Sequence, residues 1–125
     1  MGYILVIDDD KNICYLLRSF LTEMGYEVKV AHDGEEGIKH FDKGRNFDLV
    51  ITDIRMPRMN GCEVAKHIRS SDRSYTPIVA MTGFSENGIS KEFFNSLLMK
   101  PFNIEALRDV VTSLTKNCFK EDSPR

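Results

Sequence analysis

Long apolar runs are missing from this sequence. No stretch approaches the ~20 apolar residues needed to cross a bilayer, and the start, "MGYILVIDDD", lacks the charged leader and extended apolar core of a secretion signal. Gly2 follows Met1, but Val6 stands where a myristoylation motif carries Ser or Thr. Cysteine is sparse: Cys14, Cys62 and Cys118 lie far apart, with no CxxC pair and no Cys/His cluster at zinc spacing. That excludes a disulfide framework and a structural zinc site, and an odd number of thiols fits a reducing interior with all three as small buried side chains. Charge of one sign is not in excess either. The formal net charge is −2 with both signs spread along the chain, so neither a basic nucleic-acid surface nor an acidic tail is expected. No GxGxxG or GxxxxGK[ST] follows any strand-like run, which argues against a nucleotide-binding α/β domain. Repeats, linkers and low-complexity blocks are absent. The 125 residues suffice for one domain with a single core, and a cytoplasmic location is expected.

What is present is alternation. "YILVI" at 3–7 is a continuous apolar run, as expected of a strand covered on both faces. Ile13, Leu16, Leu17, Phe20, Leu21 and Met24 then recur at helical spacing, between Asp10 as N-cap and Gly25 as terminator. "YEVKVA" at 26–31 reads as a second strand, and Asp33 with Glu36 as a capping box for a helix reaching about Lys43. "FDLVITD" at 47–53 is a third strand. "MPRMNG" at 56–61 is a loop, in which Met56 and Met59 are ordinary loop residues, and Val64, Ala65, Ile68 and Arg69 continue as helix. "TPIVAMT" at 76–82 and "SLLMK" at 96–100 complete five strands, with Met81 and Met99 as strand core. Residues 83–95 predict a short helix that turns Phe93 and Phe94 to the core, and Asn103 caps a last helix whose face carries Ile104, Leu107, Val110, Val111 and Leu114. The expected domain is residues 1–119, followed by a polar, frayed tail at 120–125. His32, His40 and His67 are expected at the surface.

Five strands alternating with helices imply βαβ units and a parallel sheet covered on both faces. Such sheets bind ligands at the carboxyl ends of their strands. Those ends carry Asp8 and Asp9, then Asp53, Thr82 and Lys100. In the flavodoxin-like order 2-1-3-4-5 the first and third strands are neighbours, so three carboxylates would share one crevice. Anions crowded in this way repel unless a hard cation binds among them, and an oxygen-only site with room for water suits Mg²⁺. Asp10 is explained by its cap.

Asp8-Asp9, Asp53 in "ITDIRMPRMNG", Thr82 in "MTG" and Lys100 in "MKPF" together resemble the receiver domain of two-component response regulators, from Tyr3 to about Thr115. The resemblance implies a three-layer (βα)5 fold, α/β in class, in which the fourth-helix region of this chain is expected to be shortened. It implies that Asp53 accepts a phosphoryl group from a phosphohistidine on a sensor histidine kinase or phosphotransfer protein. Asp9 would bind Mg²⁺ directly, Asp8 through water, and Asp53 and the carbonyl of Arg55 would complete the protein ligands. Lys100 would neutralise Asp53 and then the phosphoryl oxygens. Thr82 would rotate in as the switch, with Gly83 keeping the approach open. Lys100-Pro101 resembles the family's cis peptide, which would aim the ammonium into the crevice. The implied protein is a phosphoacceptor that also dephosphorylates itself, not a turnover enzyme. It would act on an unknown output protein, with a homodimer left open.

Two features depart from the resemblance. The Thr82-to-Lys100 interval is short by about one helical turn, and Leu97 stands where an aromatic residue usually swings inward. Arg55 and Phe84, each two residues past a site residue, are expected to restrict water and slow loss of the phosphoryl group. Two rival readings are set against this one. A haloacid-dehalogenase-like Mg²⁺ phosphatase would use Asp8 as nucleophile and Asp10 as acid, although Asn12 replaces its threonine, the later acidic pair is missing and the chain is short for that fold. A degenerate receiver would act only as an interaction module.

Overall fold

The computed structural model describes residues 2–44, 46–83 and 91–122, with residues 91 and 116–122 described by backbone alone. Five parallel strands, β1 Tyr3–Ile7, β2 Glu27–Ala31, β3 Leu49–Asp53, β4 Ile78–Thr82 and β5 Ser96–Met99, form one sheet in the order β2-β1-β3-β4-β5. Four α-helices accompany them among the described residues: α1 Lys11–Glu23, α2 Gly34–Lys43, α3 Gly61–Arg69 and α4 Ile104–Asp122. None is long and apolar enough to cross a membrane. Between β4 and β5 the described residues hold a single 3₁₀ turn, Lys91–Phe93. Residues 84–90 of the helix expected there lie outside the described residues. Helix α4 continues to Asp122, past the domain boundary expected at residue 119.

The two-residue period of the strands divides the core in two. Ile4, Val6, Leu49, Ile51, Val79, Met81 and Leu98 pack against Leu17 and Leu21 of α1 and Leu107 and Val111 of α4. Leu5, Ile7, Val50 and Ile78 pack against Phe41 of α2 and Val64, Ala65 and Ile68 of α3, with Phe93 and Phe94 at the margin as expected. This three-layer arrangement requires strands that are apolar on both sides, as β1, β3 and β4 are.

Local signals set the boundaries. Asp10 caps α1 by accepting from the N–H groups of Asn12 and Ile13, and Gly25 follows the helix at φ 102°. Asp33 caps α2 through the Glu36 N–H, but Glu36 accepts from the N–H of His32, one residue beyond the reciprocal bond expected. The complete capping box is at α3, where Asn60 and Glu63 exchange bonds of 2.9 and 3.0 Å. The second, third and fourth strands begin later than expected. At β2, the Tyr26 N–H is taken by the Leu21 carbonyl at the end of α1.

Ile104, expected on the apolar face of the last helix, is 40% exposed at its start, and three further burial expectations need correction. Met99 is 48% exposed rather than core, because β5 is an edge strand and Leu98 is its inward residue. Leu16 is 41% exposed, at the margin of the α1 stripe whose buried members are Cys14, Leu17 and Leu21. Cys62 is half-buried, while Cys14 is buried as expected. The side chain of Cys118 lies outside the described residues.

Candidate metal and phosphoryl site

Asp8 follows β1, Asp53 ends β3, Thr82 ends β4 and Lys100 follows β5, so four strands deliver polar side chains to one end of the sheet. By the two-residue period, Asp8 continues the row of Ile4 and Val6, Asp53 that of Leu49 and Ile51, and Lys100 that of Leu98. All three rows lie on the α1/α4 side. Thr82 belongs to the alternate row with Ile78 and is buried.

The carboxylates of Asp8, Asp9 and Asp53 each place one oxygen within 4.8 Å of the others. Asp8 is fully buried, Asp53 nearly so and Asp9 exposed. The Lys100 ammonium stands 3.0 Å from Asp8 Oδ2 and 3.3 Å from Asp53 Oδ2. The remaining oxygens are held by backbone: the Asp10 N–H donates to Asp8 Oδ1 and the Ile54 N–H to Asp53 Oδ1, each at 2.9 Å. Asp8 Oδ2 is a buried acceptor with no hydrogen bond of good angle, since its contact with Lys100 is an ion pair only. The Lys100 ammonium is its one contact of this kind among the described residues, which leaves it a further lone pair at the point where the acidic oxygens converge. Three hard oxygen donors, one of them buried and under-bonded, fit a small divalent cation.

Charge explains the titration behaviour. Burial holds the Asp8 carboxyl above its ordinary value, and Asp53 adds to this; the Asp10 N–H and Lys100 pull the other way without prevailing. Burial opposes the charge on Lys100 as well, but Asp8 and Asp53 outweigh it and its pKa is raised. One ammonium thus serves two carboxylates: the cation gains from both, and Asp8 has only a share of its countercharge.

Two supports were not anticipated. A Cβ at Gly61 would overlap the Asp53 carbonyl oxygen and lie 3.0 Å from Ile54 Cα, so glycine lets the start of α3 press against the Asp53-Ile54 peptide. The Gly61 N–H also donates to the Ile54 carbonyl at 2.9 Å. The string Asn60-Gly-Cys-Glu63 marks a helix start with glycine at its first position, but nothing in it shows what that glycine touches. Beneath the site, the Cys14 thiol donates to the Asp8 carbonyl at 3.2 Å, and its pKa is raised to about 12, chiefly by burial. Nothing in the sequence distinguished this cysteine from the others.

The other expected residues fall as follows. Arg55 is exposed on the loop after β3, and the Lys100-Pro101 bond is cis. A Cβ at Gly83 would meet Lys100 Cβ at 3.9 Å, an ordinary contact. Leu97 is half-buried, and Phe84 lies outside the described residues. Asp10 is occupied as the α1 cap and is not part of the acidic cluster. His32, His40 and His67 are half-buried rather than fully exposed, and the latter two face Glu36 and Asp42.

Comparison with known proteins gives the family and the fold. The sequence model described as "Response regulator receiver domain" matches residues 4–112. Regulatory protein VanRB of Enterococcus faecalis is 35% identical over 117 residues, which cover 90% of this chain and 52% of that protein. The CAI-1 autoinducer sensor kinase/phosphatase CqsS of Vibrio cholerae is 34% identical, over 88% of this chain and 17% of that protein. The chain therefore spans about half or less of these relatives. Among solved structures, response regulator TrrA of Thermotoga maritima in complex with Mg²⁺-BeF is 40% identical at a TM-score of 0.84, covering 91% of this chain and 99% of that one. Chemotaxis response regulator CheY4 of Vibrio cholerae is 34% identical at 0.85, with coverage of 91% and 98%.

Proposed function

This chain belongs to the response regulator receiver domain family of two-component systems, and on that premise we propose that Asp53 accepts a phosphoryl group from the phosphohistidine of a sensor histidine kinase or phosphotransfer protein. The observation that carries the reading is the convergence of Asp8, Asp9 and Asp53 at the carboxyl end of the sheet, with the Lys100 ammonium against Asp8 and Asp53. The relative solved with Mg²⁺-BeF supports it.

An Asp53 carboxylate oxygen attacks phosphorus. An O–P bond forms, the P–N bond to the donor imidazole breaks, and the ring nitrogen takes the electron pair. Mg²⁺, when bound, would neutralise charge on the transferring oxygens. Asp8, Asp9, Asp53 and the carbonyl of Arg55 would hold it, and the under-bonded Asp8 Oδ2 fits that role. Lys100 pairs with Asp53 before transfer and with a phosphoryl oxygen afterwards. Thr82 hydrogen-bonds the phosphoryl group, and its movement is the switch that an output protein reads. Hydrolysis of the acyl phosphate resets the protein, slowed by the bulk of Arg55 and Phe84. Leu97 takes no part as an inward-swinging readout; a structure with a phosphoryl mimic in which residue 97 swings from its half-buried position into the interior would contradict this. A cytoplasmic location goes with the reading. The phosphatase rival is less well supported, since Asp10, its proposed acid, caps α1 and stands apart from the acidic cluster.

Acetyl phosphate with Mg²⁺, followed by intact mass, tests the proposal. Wild type should gain one phosphoryl group that hydroxylamine removes, and Asp53→Ala should gain none. Equal labelling of Asp53→Ala, or steady turnover of phosphate monoesters through Asp8, would overturn it.

A further inference from the structure

Thr52 stands immediately before Asp53 in β3 and is fully buried. By the two-residue period it continues the row of Val50, on the α2/α3 side of the sheet, away from the Asp53 carboxylate. A buried hydroxyl needs a hydrogen-bond partner. This one donates to the Asp53 carbonyl at 3.0 Å. Gly61, at the start of α3, lies against the same oxygen. At the other end of that peptide, the Ile54 N–H donates both to the Met81 carbonyl of β4 at 3.1 Å and to Asp53 Oδ1 at 2.9 Å. A trans peptide group is planar, with its oxygen and its hydrogen on opposite sides. Fixing the carbonyl therefore fixes the direction of the N–H, and a rotation that releases one end releases the other. The Ile54 N–H in turn sorts the two carboxylate oxygens: Oδ1 is tied to backbone, and Oδ2 stands 3.3 Å from Lys100.

We propose that Thr52 is a positioning residue for Asp53: its hydroxyl holds the Asp53-Ile54 peptide in the orientation that aims the carboxylate into the site. The proposal rests on the reading of Asp53 as phosphoacceptor. Without the hydroxyl the peptide turns more freely, the Ile54 N–H leaves Oδ1, and the carboxylate spends less time aligned for attack.

Thr52→Val removes the donor and keeps the shape, whereas Thr52→Ser keeps the donor. Thr76→Val controls for a merely structural loss, because Thr76 is also buried and its hydroxyl donates to the Arg73 carbonyl at 2.8 Å, at the opposite end of the sheet. Phosphoryl uptake is followed by intact mass with saturating Mg²⁺ and acetyl phosphate, at a temperature where every variant is folded. The Ile54 amide is followed by NMR in the ¹⁵N-labelled, donor-free protein. Thr52→Val should lower the maximal uptake rate about tenfold with little change in half-saturating acetyl phosphate. Its Ile54 amide should shift and exchange faster with solvent. Thr52→Ser should restore both readouts, and Thr76→Val should lose stability without moving either. The proposal is overturned if wild type is labelled at Asp53 and Thr52→Val reacts as fast, if the Ile54 amide is unmoved in Thr52→Val, or if Thr76→Val slows uptake equally. Failure of wild type itself to be labelled at Asp53 would instead overturn the phosphoacceptor reading, and this proposal with it.

Discussion

Lys100 and Arg69 are both partly buried cations, at opposite ends of the sheet, and they are treated in opposite ways. Arg69, at the end of α3, donates to four oxygens: the carbonyls of Phe93, Ser74 and Thr76 at 3.2, 2.6 and 2.6 Å and Asn95 Oδ1 at 2.9 Å. All are neutral. Burial lowers its pKa, but four of its five N–H groups are bonded, and it ties α3, the turn before β4, the 3₁₀ turn and the start of β5 together. Asn95 extends the tie by accepting from the Ile78 N–H through its side chain and donating its own N–H to the Ile78 carbonyl. Lys100 faces two charges, at 3.0 Å from Asp8 and 3.3 Å from Asp53, divides itself between them, and leaves Asp8 above its ordinary pKa. Saturated neutral bonds mark an ion that holds structure. Shared countercharge and spare acceptor capacity mark one that waits for a ligand.

Exchanging the two cations for methionine gives the widest separation. Lys100→Met should slow phosphoryl uptake from acetyl phosphate by about 10²- to 10³-fold with little change in metal-free stability. Arg69→Met should cost about 2–3 kcal/mol in urea unfolding, because buried acceptors lose their donor, and should leave uptake by the folded protein nearly unchanged. Similar effects on both quantities in both variants would erase the distinction.

Gly61→Ala joins the two categories, since a structural clash falls on a site residue. The added methyl must displace the Asp53-Ile54 peptide. We expect a loss of about 1–3 kcal/mol together with slower phosphoryl uptake, and a loss of stability alone would show that the peptide moves without disturbing the carboxylate.

The pH dependence of the metal-free protein sharpens the contrast further. The folded Asp8 carboxyl holds its proton to higher pH than the ordinary 3.8 of the unfolded chain. Its contribution to stability is thus complete below that value and is lost as pH rises through the folded pKa. Lys100 stays charged throughout, its pKa being raised above 10.5. Urea midpoints should fall as pH rises above about 4, the fall should shrink in Asp53→Asn, and saturating Mg²⁺ should reverse it by competing with the proton. A fall that is identical in Asp53→Asn would remove the second carboxylate from the account.

The smallest effect is expected away from both cations. Arg58 adopts φ 68°, the left-handed region that glycine enters without penalty, and sits 3.4 Å from Asp33. Arg58→Gly should change stability by no more than about 0.5 kcal/mol, because relief of backbone strain opposes the greater freedom of the unfolded chain and the loss of an exposed ion pair.

The fold was legible because each strand is apolar on the faces that helices cover and each helix carries a stripe and a cap that depend on neighbours in sequence. Asp10, Asp33 and Asn103 all cap as their positions suggest. The site was legible because its side chains sit at strand ends, which a parallel sheet brings to one edge. Gly61 and Cys14 were not legible as supports, since what each touches lies six to eight residues away along the chain and is set by how the loop folds back. Met99 failed for a similar reason: strand position was readable, but coverage of an edge strand depends on a distant segment.

By itself, then, the sequence determined the order of elements, the two-sided sheet and the identity of the acids at the strand ends, because periodicity and capping act over a few residues. Only the tertiary structure decided that one ammonium lies between Asp8 and Asp53, that Arg69 is bonded to four neutral oxygens, and that Gly61 presses the start of α3 against the Asp53-Ile54 peptide. Those outcomes depend on distances between groups far apart in the chain and on how much water each group retains, and neither is encoded in local spacing.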